Sequence, residues 1–247
     1  MIPQQICSLQ HPLVKRLVKL RENSSFRLQE NALVITGQSV IEELSLTHSI
    51  EHLISLTPLN IPAKKFTLAS KEVLEKIAGH PTQDLVAAEI LLPHHTPLQG
   101  KPLIVLLDEV ADPGNVGTIF RTALALGWDG VFVIEKSADP YNDKVLRSSR
   151  GATLRLPWQK GSWDEALLLI QKGNYHVVVA DIQGTKVQEF DYKRPLILVL
   201  GHETKGPSLT AKENGIRITI PMKKEMESLN VASAASILLY HIQETFS

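Results

Sequence analysis

The sequence predicts an α/β protein in which a parallel sheet flanked by helices follows a smaller α/β region. Short runs of apolar residues recur through the second part of the chain, and helical patterns separate most of them. Strands that are apolar throughout and alternate with helices are typical of parallel sheets covered on both faces.

The first part, residues 1–97, is predicted to form a small α/β domain. Pro12 suits the first turn of a helix over 12–21, and Ser70 suits the cap of a helix over 71–78. The other predicted elements are strands at 32–36, 52–56 and 66–69, a helix after Gly37, and an apolar run at 85–92. The Pro- and Gly-containing stretch from His94 to Pro102 predicts a linker, with a boundary near residue 98.

The second part, residues 98–247, is predicted to contain the larger sheet. Its predicted strands are 103–107, 131–134, 176–180, 196–200 and 216–220, and its main predicted helices are 116–126, 163–171 and 231–242. Because the apolar strands alternate with helices, the sheet is expected to be parallel.

Composition limits the class of protein. The 247 residues include 26 Lys and Arg against 26 Asp and Glu, which argues against a polycationic coat for nucleic acid. The single cysteine, Cys7, excludes an internal disulfide framework and a Cys-based zinc site. No apolar run approaches the ~20 residues of a membrane helix, and no export signal is evident. We therefore expect a cytoplasmic location, with neither a membrane nor a metal as partner.

Candidate chemistry lies in three segments, because ligands of open α/β sheets bind beyond the carboxyl ends of strands. In the first, residues 108–127, a Gly-containing loop precedes a helix N-terminus suited to an anion. Arg121 lies about 140° around that helix from Val116, away from its apolar stripe. A sharp turn followed by a surface arginine explains this segment equally well.

The other two segments are also ambiguous when each is taken alone. Gly201, directly after an apolar strand, permits close backbone approach to a ligand, and Glu203 follows it. A Gly-Pro turn with a solvated glutamate is the simpler alternative. In the third segment, Ser228 or Asn230 could be a helix cap and nothing more.

Together, and in this order, the three segments resemble the motifs of the SpoU (TrmH-like) branch of the SPOUT RNA methyltransferases. The matching stretches are Asn115–Ala123, Leu200–Gly206, and Ile220–Met222 continuing through Glu227–Ala232. The resemblance covers roughly residues 102–245. The N-terminal region is similar to the ribosomal-protein-like RNA-binding domain that often precedes this catalytic domain.

The resemblance implies an enzyme that transfers a methyl group from S-adenosylmethionine to a ribose 2′-hydroxyl of structured RNA, ribosomal RNA being favoured over transfer RNA. It also implies a C-terminal trefoil knot and a homodimer with its active sites near the subunit interface. The catalytic residues carried over by resemblance are Asn115, Arg121, Glu203, Ser228 and Asn230. The cofactor-binding residues carried over are Ala180, Gly201, Ile220, Met222 and Leu229.

The chemistry suggests a role for each catalytic side chain. A guanidinium keeps its proton at neutral pH, so Arg121 is expected to orient the target phosphate and ribose and to stabilise alkoxide charge. The amides and the hydroxyl are neutral groups that position the hydroxyl and the cofactor without repelling a sulfonium. Glu203 either pairs with Arg121 or shapes the pocket. A sulfonium is already an activated methyl donor, so no metal is required.

RNA contacts are expected from local cations, because the net charge is zero. The candidates are Lys15, Arg16 and Lys19 in the first helix, and Arg147 and Arg150 in the loop 141–151. Solvated surface positions are an equal alternative for both groups. One departure from the family pattern stands at Lys223-Lys224-Glu225, where the family often has glycine.

Two other functions compete with the methyltransferase. A catalytically silent, RNA-binding relative acting in ribosome assembly is disfavoured because all the motif residues are intact. An unrelated nucleotide-binding α/β enzyme is disfavoured because the chain has no complete Gly-x-Gly-x-x-Gly fingerprint and no phosphate-binding Gly-x-x-x-x-Gly-Lys-Ser/Thr loop.

Overall fold

A computed structural model describes residues 5–81, 83–93, 96–223 and 225–246. The chain divides into two compact units. The first comprises Met1–His94 with Tyr141–Asp143, and the second comprises His95–Pro140 with Lys144–Ser247. None of the helices in the described residues is long and apolar enough to cross a membrane.

The first unit contains a mixed, four-stranded sheet. Its helices are α1 (Pro12–Glu22), α2 (Ser24–Glu30), α3 (Gln38–Ser45) and α4 (Lys71–Ala78), and its strands are β1 (Ala32–Thr36), β2 (Ile50–Ser55), β3 (Phe66–Leu68) and β4 (Val86–Leu91). The strand order is β1-β4-β2-β3. Strand β4 is antiparallel to β1 and β2, and β3 is parallel to β2.

Local sequence signals explain the helices that were predicted in this unit. Pro12 begins α1, and the Ser70 hydroxyl caps α4 by accepting a hydrogen bond from the backbone N–H of Val73. The buried stripe of α1, which includes Leu17 and Leu20, packs with α4 in one apolar core. Helix α2 was not predicted, because seven residues are too few for a clear helical period.

The second unit contains a six-stranded sheet in which every pairing is parallel, which confirms the predicted parallel sheet. Its strands are β5 (Leu103–Asp108), β6 (Gly130–Ile134), β7 (Trp158–Gly161), β8 (His176–Lys186), β9 (Leu196–Gly201) and β10 (Ile216–Thr219). Its helices are α5 (Pro113–Ala125), α6 (Asp143–Ser149), α7 (Trp163–Gly173), α8 (Leu209–Asn214) and α9 (Val231–Glu244), with short 3₁₀ turns at Ala152–Leu154 and Val187–Glu189. The strand order is β10-β8-β9-β5-β6-β7.

Helices cover both faces of this sheet. Every residue of β5 and β9 is buried, as expected for central parallel strands. Alternate residues such as Ile104 and Leu106 pack on one face with α7 and α8. Helices α5 and α9 pack against each other, and α9 contacts β9. The Trp128 indole N–H donates to the carbonyl of Leu239 in α9 at 3.2 Å, which ties α9 to the chain just before β6.

Three elements of the second unit were missed by sequence reasoning, and others differ at their ends. Among the described residues, strand β7 pairs only with β6, and its sequence has no apolar run. Helix α6 lies where a loop was expected, because its polar sequence buries few apolar residues. Helix α8 is only six residues long. Helix α5 begins at Pro113 rather than at 116, and β8 continues to Lys186.

Candidate active site

A pocket of about 340 Å³ lies at the carboxyl ends of β9 and β10 and beside the middle of β8, where its pairing with β9 ends. Parallel strands place their carboxyl ends at one edge of the sheet, so residues that are distant in sequence meet there. All five residues predicted to hold the cofactor line this pocket: Ala180, Gly201, Ile220, Met222 and Leu229.

The floor of the pocket is a tight turn that requires glycine at its start. The backbone N–H of His202 donates to Gly206 O at 3.1 Å, and the return bond from Gly206 N is 2.9 Å. A Cβ on Gly201 would lie 2.3 Å from the nitrogen of Pro207. The sequence predicted that Gly201 lets the backbone approach a ligand closely; the group that lies against Gly201 in this structure is the chain's own turn.

Asp108 holds the chain that follows this turn in place, and no role was predicted for this residue from the sequence. Its carboxylate is buried, accepting a hydrogen bond from Ser208 N at 2.7 Å and another from Trp163 Nε1 at 2.9 Å. A carboxylate at the end of an otherwise apolar strand is the signal that could have identified it, because burial of such a group needs partners.

Hydrogen bonds join the three motif segments at one side of the pocket. Asn115 Nδ2 donates to Glu203 Oε1 at 2.9 Å, and Asn230 Nδ2 donates to Asn115 Oδ1 at 3.0 Å. Asn230 in turn caps α9, since its Oδ1 accepts from the backbone N–H groups of Ala232 and Ser233. Three of the five predicted catalytic residues therefore form one continuous network.

Glu203 organises the loop that leads into α5. Its carboxylate also accepts hydrogen bonds from the backbone N–H groups of Ala111, at 3.2 Å, and Asp112, at 3.0 Å. Burial alone would raise the pKa of Glu203, but these hydrogen bonds and the one from Asn115 outweigh it and hold the pKa below its ordinary value. Of the two roles considered from the sequence, this geometry matches the shaping of the site.

Ser228 also lines the pocket, in the exposed segment that leads into α9. The chain turns just before it, where Met226 N donates to Lys223 O at 3.1 Å. Lys224, at the centre of the departure from the family pattern, lies outside the described residues.

Arg121 is not part of this network. It is exposed on α5, six residues beyond Asn115 and therefore about 9 Å further along the helix axis. Within the described residues it does not line the pocket, and no hydrogen bond or ion pair joins it to another side chain. The structure thus brings together four of the five predicted catalytic residues and leaves Arg121 apart.

The cations predicted to contact RNA differ in their surroundings. In the first unit, Lys15 and Lys19 line a groove that also includes Lys76. Arg16 instead pairs with Glu30 at 3.0 Å and with Glu89 at 2.7 Å, and the hydrogen bond that it donates to Glu89 raises the pKa of Arg16.

Arg147 and Arg150 are exposed, the former in α6 and the latter just after it. Helix α6 approaches α5 closely at Gly117, where a Cβ would lie 1.9 Å from Ser148 Oγ. Among the described residues, no group of three or more His, Cys, Asp or Glu side chains is placed to hold a metal ion.

A parallel α/β sheet with a concave, polar-rimmed pocket at a strand-end edge is the architecture of enzymes that bind a nucleotide-like ligand there. Comparison with known proteins identifies the family to which the chain belongs. The sequence profile of the SpoU rRNA Methylase family matches residues 102–240. The chain belongs to this family.

Full-length relatives and a solved structure agree with that assignment. An uncharacterized tRNA/rRNA methyltransferase of Synechocystis sp. is 32% identical, over 95% of this chain and 92% of that protein. The 23S rRNA (guanosine(2553)-2′-O)-methyltransferase RlmP of Bacillus subtilis is 29% identical, over 97% of this chain and 99% of that protein. The SpoU methyltransferase AviRb of Streptomyces viridochromogenes, in complex with AdoMet, has a TM-score of 0.85 and 25% identity, covering 96% of this chain and 98% of that one.

Proposed function

We propose that this chain transfers a methyl group from S-adenosylmethionine to a ribose 2′-hydroxyl of ribosomal RNA. One observation carries the proposal: Glu203 lines the pocket beside β8, β9 and β10 and is hydrogen bonded to Asn115, which is in turn hydrogen bonded to Asn230. Ribosomal RNA is favoured over transfer RNA because the Bacillus relative, which matches along its whole length, is named for 23S rRNA.

The pocket fits the cofactor in size and chemistry. Its volume of about 340 Å³ falls in the range of small-molecule sites, and it mixes apolar side chains such as Leu200 and Leu238 with polar ones. S-adenosylmethionine supplies an activated methyl group on a sulfonium. Gly201, Ile220 and Leu229 are assigned to hold it, with Ala180 and Met222 beside them, because all five border the pocket.

The neutral polar groups are assigned to positioning. Asn115 and Asn230 are held by the Glu203 carboxylate at one end and by the first turn of α9 at the other, so their amides have fixed orientations. Ser228 offers a hydroxyl at the pocket wall. Fixed neutral groups can align an incoming hydroxyl without placing an additional positive charge beside a sulfonium.

Arg121 is assigned to the target phosphate and the developing alkoxide, and we propose that it acts in the active site of a second copy of the chain. Arg121 is exposed and lies apart from the pocket of its own chain. The adjoining helix α9 exposes Ile237 (44%) and Tyr240 (56%). Such apolar exposure beside an unengaged cation supports a homodimer interface along α5 and α9.

A complementation experiment tests both the reaction and the shared site. Arg121→Ala should bind S-adenosylmethionine normally but lose methyl transfer, and Ser228→Ala should also be impaired. Mixing and refolding the two variants at equal amounts should restore about a quarter of wild-type transfer, because half of the dimers then hold one intact composite site.

The readout is incorporation of labelled methyl groups into ribosomal RNA from cells that lack this protein, with the modified riboses mapped. Failure of the mixture to regain activity would place Arg121 in its own chain's site. Cofactor and RNA binding by the wild-type chain without any transfer would favour the catalytically silent alternative.

We also propose that the two regions of the chain have separate roles, one in RNA binding and the other in catalysis. Residues 1–97 are assigned to RNA binding, through Lys15 and Lys19, and residues 98–247 to catalysis. Arg16 is a weaker candidate because Glu30 and Glu89 already engage it. Arg147 and Arg150, exposed in and just after α6, are assigned to RNA phosphates near the catalytic unit.

We also propose that the C-terminal segment of the catalytic unit forms the trefoil knot typical of the family. The likeness to AviRb, with a TM-score of 0.85, supports this topology. Small residues that follow Asn230, such as Ala232 and Ala235, are buried and allow threaded chain to pack closely. We also propose a cytoplasmic location, because the Bacillus relative that matches along its whole length is named for ribosomal RNA.

A further inference from the structure

Strand β8 forms one wall of the pocket, and this wall contains a carboxylate with one oxygen that has no hydrogen-bond partner among the described residues. The Asp181 side chain is only 7% exposed and lines the pocket. Its Oδ1 accepts a hydrogen bond from Gln183 N at 3.0 Å. Its Oδ2 is fully buried and has no hydrogen-bond partner in the described part of the chain.

Two cations lie near this oxygen without bonding to it. Lys212 Nζ is 3.7 Å from Oδ2, and Arg217 Nη1 is 4.0 Å from it. Both distances exceed those of a hydrogen bond, so the cations balance part of the negative charge of the site while leaving a lone pair of Oδ2 unused. A buried acceptor without a partner is costly, and such groups are often completed by a ligand.

The backbone is shaped to place Asp181 at this point. Strand β10 pairs with Val178 and Val179 of β8 and then with Thr185 and Lys186, so residues 180–184 bulge out of the ladder. A Cβ on Gly184 would lie 2.5 Å from Arg217 O, so only glycine lets β8 return to β10 at once. Pairing of β8 with β9 ends at Val179, which leaves the space that the pocket occupies.

We infer that Asp181 Oδ2 accepts a hydrogen bond from a ribose hydroxyl of the nucleoside part of S-adenosylmethionine, an inference that rests on the proposed function. An ionised carboxylate only accepts, so its partner must be a donor. The nearby Lys212 and Arg217 disfavour an ammonium at this position, whereas a neutral hydroxyl meets no such repulsion. Carboxylates recognise ribose hydroxyls in other nucleotide sites of α/β sheets.

The experiment measures the affinity of S-adenosylhomocysteine and its analogues by titration calorimetry, without any turnover. Asp181→Ala should weaken S-adenosylhomocysteine about 10–100-fold, the range expected for a hydrogen bond to a charged group. The 2′-deoxy or the 3′-deoxy analogue should lose a similar factor with the wild-type chain and little or nothing further with Asp181→Ala. Asp191→Ala, at an exposed aspartate, is the matched control and should bind like the wild type.

Several outcomes would overturn the inference. Both deoxy analogues could bind the wild type as tightly as the parent compound, or their loss could persist in Asp181→Ala. An analogue that lacks the adenine amino group or the α-amino group could instead lose affinity with the wild type but not with Asp181→Ala. That result would assign the hydrogen bond of Oδ2 to the missing group. Circular dichroism checks that the variant is folded; if it is not, Asp181→Asn and the deoxy series on the wild type give the answer.

The same titration separates this inference from the proposed function. A wild-type chain that does not bind S-adenosylhomocysteine or S-adenosylmethionine contradicts the proposed donor. Tight binding with no dependence on the ribose hydroxyls contradicts only the role of Asp181.

Discussion

At the scale of single residues, Glu203 is the centre of the polar network at the site. It accepts hydrogen bonds from two backbone N–H groups and from the side-chain amide of Asn115. The Asn115 amide oxygen in turn accepts a hydrogen bond from Asn230 and so fixes the orientation of that side chain. A carboxylate with several donors is stable in its ionised form, which is why the Glu203 pKa lies below its ordinary value despite burial. The acidic side chain therefore acts here mainly as a structural anion.

This arrangement predicts an acid-dependent loss of stability. Because the folded-state pKa of Glu203 is below the ordinary 4.5, its contribution is fully present above that value and is lost as the pH falls through the folded pKa. Glu203→Gln should reduce the free energy of unfolding at neutral pH by about 1–2 kcal/mol. The difference between variant and wild type should shrink as the pH falls below 4.5 and through the folded-state pKa.

Urea unfolding of both proteins at a series of pH values measures this difference. The acid range is diagnostic, because the Glu203 carboxylate takes up its proton there. A difference that stays constant down to the most acid condition would mean that the Glu203 charge does not stabilise the loop.

At the scale of elements, the contact between α5 and α6 shows why a motif glycine occupies position 117. A Cβ there would lie 2.7 Å from Val145 O and 2.8 Å from Ser149 N, in addition to its contact with Ser148 Oγ. Beside this contact, Lys144 of α6 pairs with Asp112, the cap of α5, at 2.8 Å. This glycine thus links the loop of the site to the helix that carries Arg147.

Gly117→Ala should therefore destabilise the chain by about 1–3 kcal/mol, although alanine is the better helix former. The added methyl group meets backbone atoms of α6, which cannot rotate away as a side chain can. Thermal or urea unfolding measures the effect.

A second substitution tests the cause. Adding Ser148→Ala removes the hydroxyl contact but leaves the backbone contacts, so it should restore little of the lost stability. Full recovery in the double variant would mean that only the serine hydroxyl excludes a side chain at position 117.

At the scale of the whole molecule, the balance of 26 basic and 26 acidic residues means that RNA affinity must come from local patches. Lys15 and Lys19 in α1 line the same groove. Lys15→Glu with Lys19→Glu should weaken RNA binding and reduce the slope of log affinity against log salt by about one to two, because each phosphate contact contributes roughly one counterion.

The control reverses two exposed lysines of the other unit, Lys160 and Lys172, and therefore makes the same change in net charge. Filter binding or fluorescence anisotropy across a salt series gives the slope. Equal slopes for the two double variants would show that the groove on α1 is not the RNA footprint.

The sequence by itself determined the parallel α/β class, the buried strands, the first helical turn at Pro12 and the cap at Ser70. These features follow from local patterns, because an apolar run, a helical spacing or a capping side chain involves residues that are only a few positions apart in the sequence. The family motifs also identified four residues that the structure brings together. Short or polar elements such as β7, α6 and α8 were missed because their few apolar contacts leave no period in the sequence.

Only the tertiary structure decided how the motif residues are used. Hydrogen bonds join Asn115 to Glu203 and to Asn230, and Asp108 accepts a hydrogen bond from the turn that follows Gly201. Arg121 lies apart from the pocket of its own chain, whereas Asp181 lines that pocket from a bulge in β8. Each of these depends on which strands are neighbours and where a ladder breaks. That information arises from the packing of segments far apart along the chain, which no local pattern contains.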